Sequence, residues 1–229
     1  MLVFKYFDLP LGLAGRGGVQ RFFMLTQNIP FKEEVLTMDN VWAEHKEKVM
    51  LGEGHNPCGG LPVTYGLKND KGEDLHMSQH IATCRYLARL NKKVNADTVY
   101  AEYVADLVAD EYQGWRDAWA NVAFTGTDAE KDTYRKETVP AQLKKFEALY
   151  GKFAMSAPYL CRGPDGPLWA DAALFGLMRD HMLTGLLDAK ALASSSPRLN
   201  AMFEAYAAQA PVAAWLKTKE PAGDKSVEL

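Results

Sequence analysis

Only three cysteines, Cys58, Cys84 and Cys161, occur in 229 residues, and no two of them form a CxxC pair. An odd count without paired spacing excludes a disulfide framework and suits free thiols in a reducing compartment. The five histidines, His45, His55, His76, His80 and His181, show no metal-ligand spacing, so no metal is expected. Lysine and arginine number 26 against 29 aspartate and glutamate, a net charge of -3, and no broad basic field draws a phosphate backbone. Long apolar runs are missing too, which excludes a membrane-spanning helix. The first residues, MLVFKYFDLPLGLAGRGG, lack the charged leader and continuous apolar stretch of a signal peptide. A soluble, unprocessed, cytoplasmic protein with neither nucleic acid nor membrane as partner is expected. Glycines 12, 15, 17 and 18 do not have the spacing or the acidic companion of a dinucleotide-binding loop.

What is present divides at about residue ninety. Leu2–Phe7 is rich enough in β-branched and aromatic residues for a strand, and a Gly/Pro cluster follows it. Val19, Phe22, Phe23 and Thr26 recur at helical spacing between Gly15 and Asn28, and Ile29-Pro30 ends that helix. Phe31–Leu36 reads as a second strand. Asp39 or Asn40 is placed to cap a short helix running to about Val49. Leu61–Tyr65, the turn Asn69-Asp70-Lys71-Gly72 and Glu73–His76 read as a hairpin. Ile81, Cys84, Tyr86, Leu87 and Leu90 give one more helix, from about Ser78. The order is βαβαββα. Asn91–Asp97 reads as a linker. Beyond it Tyr100–Phe124, Asp128–Tyr150, Ala170–Leu187 and Arg198–Ala210 are helical in composition, with Pro140 set to kink or split the second, and Glu220–Leu229 is a polar tail. The fold class is α/β followed by all-α: residues 1–91 as a thioredoxin-like domain and 98–229 as a helical one.

This layout, with a tyrosine in the first strand and Leu61-Pro62 before the third, resembles the cytosolic glutathione transferase superfamily. The resemblance runs from Tyr6-Phe7-Asp8 through Gly15-Arg16-Gly17 and Arg21 to Trp169-Ala170-Asp171, Pro197-Arg198-Leu199 and Trp215-Leu216. Sigma class is the nearest look. The resemblance implies a homodimeric detoxification enzyme of the tyrosine type, with glutathione as co-substrate and a small hydrophobic electrophile as acceptor. Alternatives within the same resemblance are a glutathione-binding or structural relative with little conjugating activity, and a glutathione-dependent isomerase similar to prostaglandin D synthase.

Residue roles follow from the resemblance. Tyr6 is matched to the hydroxyl that holds the glutathione sulfur as thiolate, the nucleophilic form; taken alone it reads as a packing tyrosine between Phe4 and Phe7. Arg16 is matched to a second thiolate stabiliser near the start of the first helix. Trp42 and Lys46 are matched to the glycine end of glutathione, with a core tryptophan and a solvated lysine as the plain alternative. Gly60, Leu61 and a cis Pro62 are matched to its cysteinyl part. The γ-glutamyl end has two registers: Gln79 and His80, or Ser78 with Met77. Asp110, with Asp106 as rival, is matched to an acid reaching across a dimer interface. The loop from Tyr6 to Arg16 is longer than in the sigma pattern, and Leu9, Leu11 and Leu13 on it, with Tyr112 and Trp115, are candidate walls of the electrophile pocket or simply loop and core. Asp171 is matched to a helix-capping box in which Leu168 replaces the hydroxyl residue. Cys58 is read as a passive loop thiol or as a partner in a mixed disulfide.

Overall fold

A computed structural model describes residues 1–37, 41–93 and 99–219. The proposed cap at Asp39 or Asn40, most of the linker and the tail from Glu220 lie outside these residues.

Alternation in the first six residues of sheet becomes strand β1, Leu2–Phe7, with Leu2, Phe4 and Tyr6 facing the core. Helix α1 (Gly15–Thr26) returns the chain to β2 (Phe31–Leu36), which pairs parallel to β1. After α2 (Val41–His45), which continues as a wide turn over Lys46–Gly52, strands β3 (Val63–Lys68) and β4 (Asp74–Ser78) pair antiparallel. The sheet order is β2-β1-β3-β4, and α3 (His80–Leu90) closes the unit. The strands thus follow the expected βαβαββα order, although β3 starts two residues later than the Leu61 reading and α3 starts at His80.

The helical region begins with α4 (Val99–Thr125), then α5 (Asp128–Thr133), which runs through a wide turn at Tyr134–Thr138 into α6 (Val139–Phe153). Pro140 does not split this run. The helical path is continuous, and the irregularity beside Pro140 is the widened turn Tyr134–Thr138 just before it, where the regular hydrogen-bond ladder that its missing N–H would break is already altered. Helices α7 (Trp169–Leu183), α8 (Ala189–Ser195), α9 (Pro197–Ala207) and α10 (Ala210–Lys219) complete the fold. α7 is buried on nearly every face, consistent with its central place against α1 and α4.

Asp171 is fully buried in the first turn of α7, where its Oδ1 accepts from the Tyr150 hydroxyl at 2.6 Å and the Leu160 N–H at 3.0 Å. Leu168 makes no side-chain cap. Tyr150, from α6, therefore supplies a hydroxyl partner inside this turn, and burial pushes the Asp171 carboxyl up to about 7.

Candidate active site

The glycines after β1 explain how a tyrosine is held there. A Cβ on Gly17 would sit 2.2 Å from Tyr6 Cδ1, and one on Gly15 would sit 2.4 Å from the Tyr6 hydroxyl oxygen. Gly15 also has φ +57°, a left-handed backbone that glycine adopts without a steric penalty. The start of α1 is thus moulded onto the tyrosine ring, with the backbone N–H groups of Arg16 and Gly17 beside its hydroxyl. Burial raises the Tyr6 hydroxyl above its ordinary value, while the positive charge of Arg116 and those two N–H groups act against the shift. The hydroxyl keeps its proton at neutral pH and is available as a donor.

The same helix start is anchored from the other half of the molecule. Asp180 on α7 is buried, and its two carboxylate oxygens accept the N–H groups of Ala14 at 2.7 Å and Gly15 at 2.8 Å. A carboxylate on the unpaired amides of a helix N-terminus is favourable. Burial nevertheless lifts the Asp180 carboxyl to about 6.

Beside this junction lies a cleft of about 340 Å³ lined by Arg16, Asn56, Cys58, Gly60, Leu61, Pro62, Gln79, His80, Gln113 and Asp117. Its sheet side is formed by Asn56, Cys58, Gly60, Leu61, Pro62, Gln79 and His80. The Leu61–Pro62 bond is cis, and Gln79 precedes α3 with φ +67°. Asn56 shapes the approach: its Nδ2 donates to the Gly60 carbonyl at 2.6 Å and its Oδ1 accepts the Cys58 N–H at 2.9 Å. Its helical side is formed by Gln113 and Asp117 of α4. Asp117 binds Arg16 at 2.5 Å, and Gln113 Nε2 lies 3.5 Å from His80 Nε2. Burial first, then the charges of Arg16 and Arg116, bring His80 down to about 3, so its ring is neutral.

Of the residues singled out in the sequence, Arg16, Gly60, Leu61, Pro62, Gln79, His80 and Cys58 meet in this cleft. Between the two registers at the third helix, it is Gln79 and His80 that line it; Ser78 ends β4, its carbonyl accepting the Thr83 hydroxyl at 3.3 Å. Lys46 is adjacent, its Cε packed at Gly59, while Trp42 lies edge-on to Phe7 with ring centroids 4.8 Å apart. Asp110 is exposed on α4. Asp106 pairs with Arg85 at 2.9 Å and accepts the Trp169 indole N–H at 2.9 Å, tying α3 to the helical region.

The apolar candidates are elsewhere. Trp115 is in the helical core, stacked on Phe146 at 5.3 Å and beside His181 at 4.8 Å. Tyr112 and Leu13 are also buried, and Leu11 lies in a 3-10 turn packed on the core. The long loop is fastened down: Arg179 Nη1 donates to the Gly12 carbonyl at 2.7 Å and Lys219 pairs with Asp8 at 2.9 Å. Sequence reasoning did not find Asn56, Gln113, Asp117 and Asp180. The four-residue spacing of Gln113 and Asp117 places both on one helix face, which is a usable signal for the first pair; nothing local marks Asp180 as a partner of a segment 165 residues away. Among the described residues no group of three or more His, Cys, Asp or Glu is arranged to hold a metal, and no helix is long and apolar enough to cross a membrane.

Comparison with known proteins gives this geometry a context. Residues 113–219 match the family model of the glutathione S-transferase C-terminal domain. The chain superposes on the Pi-class glutathione S-transferase of Onchocerca volvulus with a TM-score of 0.75 at 20% identity, covering 96% of this chain and 94% of that one. For the sigma-class enzyme of Fasciola hepatica the TM-score is 0.72 at 18% identity, covering 96% and 97%. For the prostaglandin synthase D of Nilaparvata lugens it is 0.69 at 19% identity, covering 97% and 100%. Residues 113–219 are thus similar to the glutathione S-transferase C-terminal domain, and the fold of the chain is the one shared by these Pi- and sigma-class glutathione S-transferases.

Proposed function

We propose that this chain, with the fold of the cytosolic glutathione transferases, is a tyrosine-type glutathione transferase that binds glutathione in the described cleft and holds its sulfur as thiolate with Tyr6. The observation that carries the reading is a cleft lined by Arg16, Gly60, Leu61 and Pro62 beside the start of α1, whose Gly15 and Gly17 pack on Tyr6, a buried, protonated tyrosine that lies just behind the lining residues. An extended tripeptide offers main-chain donors and acceptors to such a cleft, and a carboxylate at each end. Gln79 and His80 at the start of α3 take the γ-glutamyl end, where free helix amides favour a carboxylate. Lys46 is close enough to Gly59 to supply a cation for the glycyl carboxylate.

The thiol of glutathione has an ordinary value of about 8.5, so most of it is protonated at neutral pH. Lowering it by about two units takes roughly 2.7 kcal/mol of preference for the anion. One donated hydrogen bond in a poorly solvated site, with helix amides and a nearby cation, is of that size. The proton leaves to solvent, Tyr6 keeps its own and donates to sulfur, and the thiolate forms a C–S bond with the acceptor's electrophilic carbon as a leaving anion departs to solvent or, on an activated double bond, as the π bond breaks and the new carbanion takes a proton from solvent. Tyr6→Phe is expected to leave glutathione affinity within about twofold and to lower turnover by about a hundredfold; turnover at the wild-type level contradicts the assignment.

A second reading is favoured by a specific observation. The cleft carries Gln113 and Asp117 on its helical side and Arg16 of α1, paired with Asp117, while Leu13, Tyr112 and Trp115 are sealed in the core. That arrangement suits a glutathione-binding relative with little activity toward apolar electrophiles. Retention on immobilised glutathione without conjugation of any tested electrophile supports this second reading. Self-association also belongs to the proposal: Tyr86 and Leu90 on α3 and Val99, Tyr100 and Tyr103 on α4 are exposed, and Asp110 lies seven residues beyond Tyr103 on the same helix face.

A further inference from the structure

Arg116, near the middle of α4, is 7% exposed, yet its Nε and Nη1 have no hydrogen-bond partner. The face of the guanidinium is satisfied by Trp119, with Cζ 4.5 Å from the ring centroid, but a ring face gives the in-plane donors nothing. A buried cation without a bonded anion is costly. The carboxylate whose charge it senses, Asp180, has both oxygens committed to Ala14 and Gly15.

The surroundings indicate what is missing. The groups that feel the charge of Arg116 are Tyr6 on β1, His80 on α3, Tyr112 on α4, and Asp180 and His181 on α7. Arg16 on α1 acts on His80 and Tyr112 as well. Both histidines are held neutral and both tyrosines protonated, leaving Asp180 as the anion in this set. Gln113 and Asp117, three residues before and one after Arg116, line the cleft. A buried cation thus sits on the helix turn that supplies two lining residues of the cleft, and its charge reaches the Tyr6 hydroxyl.

We propose that Arg116 is the buried counter-charge of the glutathione thiolate at Tyr6, a positioning residue that stabilises the sulfur anion through space while Tyr6 supplies the hydrogen bond. The proposal rests on the reading of Tyr6 given above. It explains why a guanidinium with unpaired donors is kept at this point: the second charge arrives with the ionised sulfur.

The test is an ultraviolet absorbance titration of the thiol of glutathione bound to the wild type, Arg116→Gln, Arg116→Lys and Tyr6→Phe. In Arg116→Gln the bound thiol is expected to titrate about one unit higher, with turnover well below that value reduced about tenfold. Affinity for S-methylglutathione, which has no thiol to ionise, should stay within about twofold of wild type. Arg116→Lys keeps the charge and is expected to hold the thiol near its wild-type value. An unshifted thiol in a folded Arg116→Gln overturns the inference, as does an equal loss of S-methylglutathione affinity, which marks a packing role. Should Arg116→Gln fail to fold, a one-unit rise in Arg116→Lys overturns it. If Tyr6→Phe leaves the thiol unmoved, the reading of Tyr6 fails instead; if Tyr6→Phe moves it and Arg116→Gln does not, only the role of Arg116 falls.

Discussion

The two walls of the cleft are built on different principles. On the sheet side the lining residues carry unusual backbone: the cis bond at Leu61–Pro62 and the positive φ of Gln79, with Gly60 before the cis bond. On the helical side the lining residues Gln113 and Asp117 share a regular helix with the buried Arg116, Tyr112, Trp115 and Trp119. A backbone wall is fixed by the fold and suits a constant ligand. A side-chain wall changes with each substitution and suits a ligand that varies between relatives. Glutathione binding is accordingly the part of the proposal that the fold supports, and the identity of the acceptor is the part that it leaves to individual residues.

The junction between the walls is where this comparison breaks most readily. Asp180 reaches from the helical side to hold the start of α1, so Asp180→Ala leaves two buried amides without partners and is expected to cost about 3 kcal/mol or more. Urea unfolding measures that loss, and a change below about 1 kcal/mol would mean that the anchor is dispensable. Next in size is Gly17→Ala, which places a methyl group into the Tyr6 ring and is expected to cost about 1–3 kcal/mol and most of the turnover. Gly114→Ala on α4, where the added carbon meets nothing within 4 Å, is the matched control and should be silent or slightly stabilising. Equal effects of the two glycine changes would remove the argument that the helix start is moulded onto Tyr6.

A smaller effect separates the cores behind the walls. His181 is fully buried, its Nδ1 2.8 Å from the Leu177 carbonyl and its Nε2 3.0 Å from the Tyr134 hydroxyl, so Nδ1 carries the proton and Nε2 accepts. Burial brings it down to about 3. A base with a depressed folded value contributes stability that is present above its unfolded value, about 6.5, and is lost as pH falls toward 3. Between pH 7 and 5 the stability advantage of the wild type over His181→Leu should shrink by up to about 2 kcal/mol. A constant difference across that range would show that the imidazole is already solvated.

The same contrast explains what the sequence discloses. The sheet side is legible because strand alternation in Leu2–Phe7, the stop at Ile29-Pro30 and the turn at Asn69–Gly72 are local signals. Its third helix is less so: whether Ser78 or His80 opens α3 depends on one backbone angle at Gln79. Helices α8 and α10 escape notice because they are short and alanine-rich, with weak apolar periodicity. On the helical side, Trp115 and Tyr112 read equally well as pocket or core by spacing alone, and only packing against Phe146 and His80 decides where they lie. The contact of Asp180 with Ala14 and Gly15 joins opposite ends of the chain and has no local signature.

The claim that joins these observations is that Tyr6 holds the sulfur of bound glutathione as an anion. Titrating the thiol of glutathione bound to the wild type and to Tyr6→Phe tests it directly. The account predicts a bound thiol about two units below 8.5 in the wild type and a return to near that value in Tyr6→Phe; the same value in both proteins would contradict it.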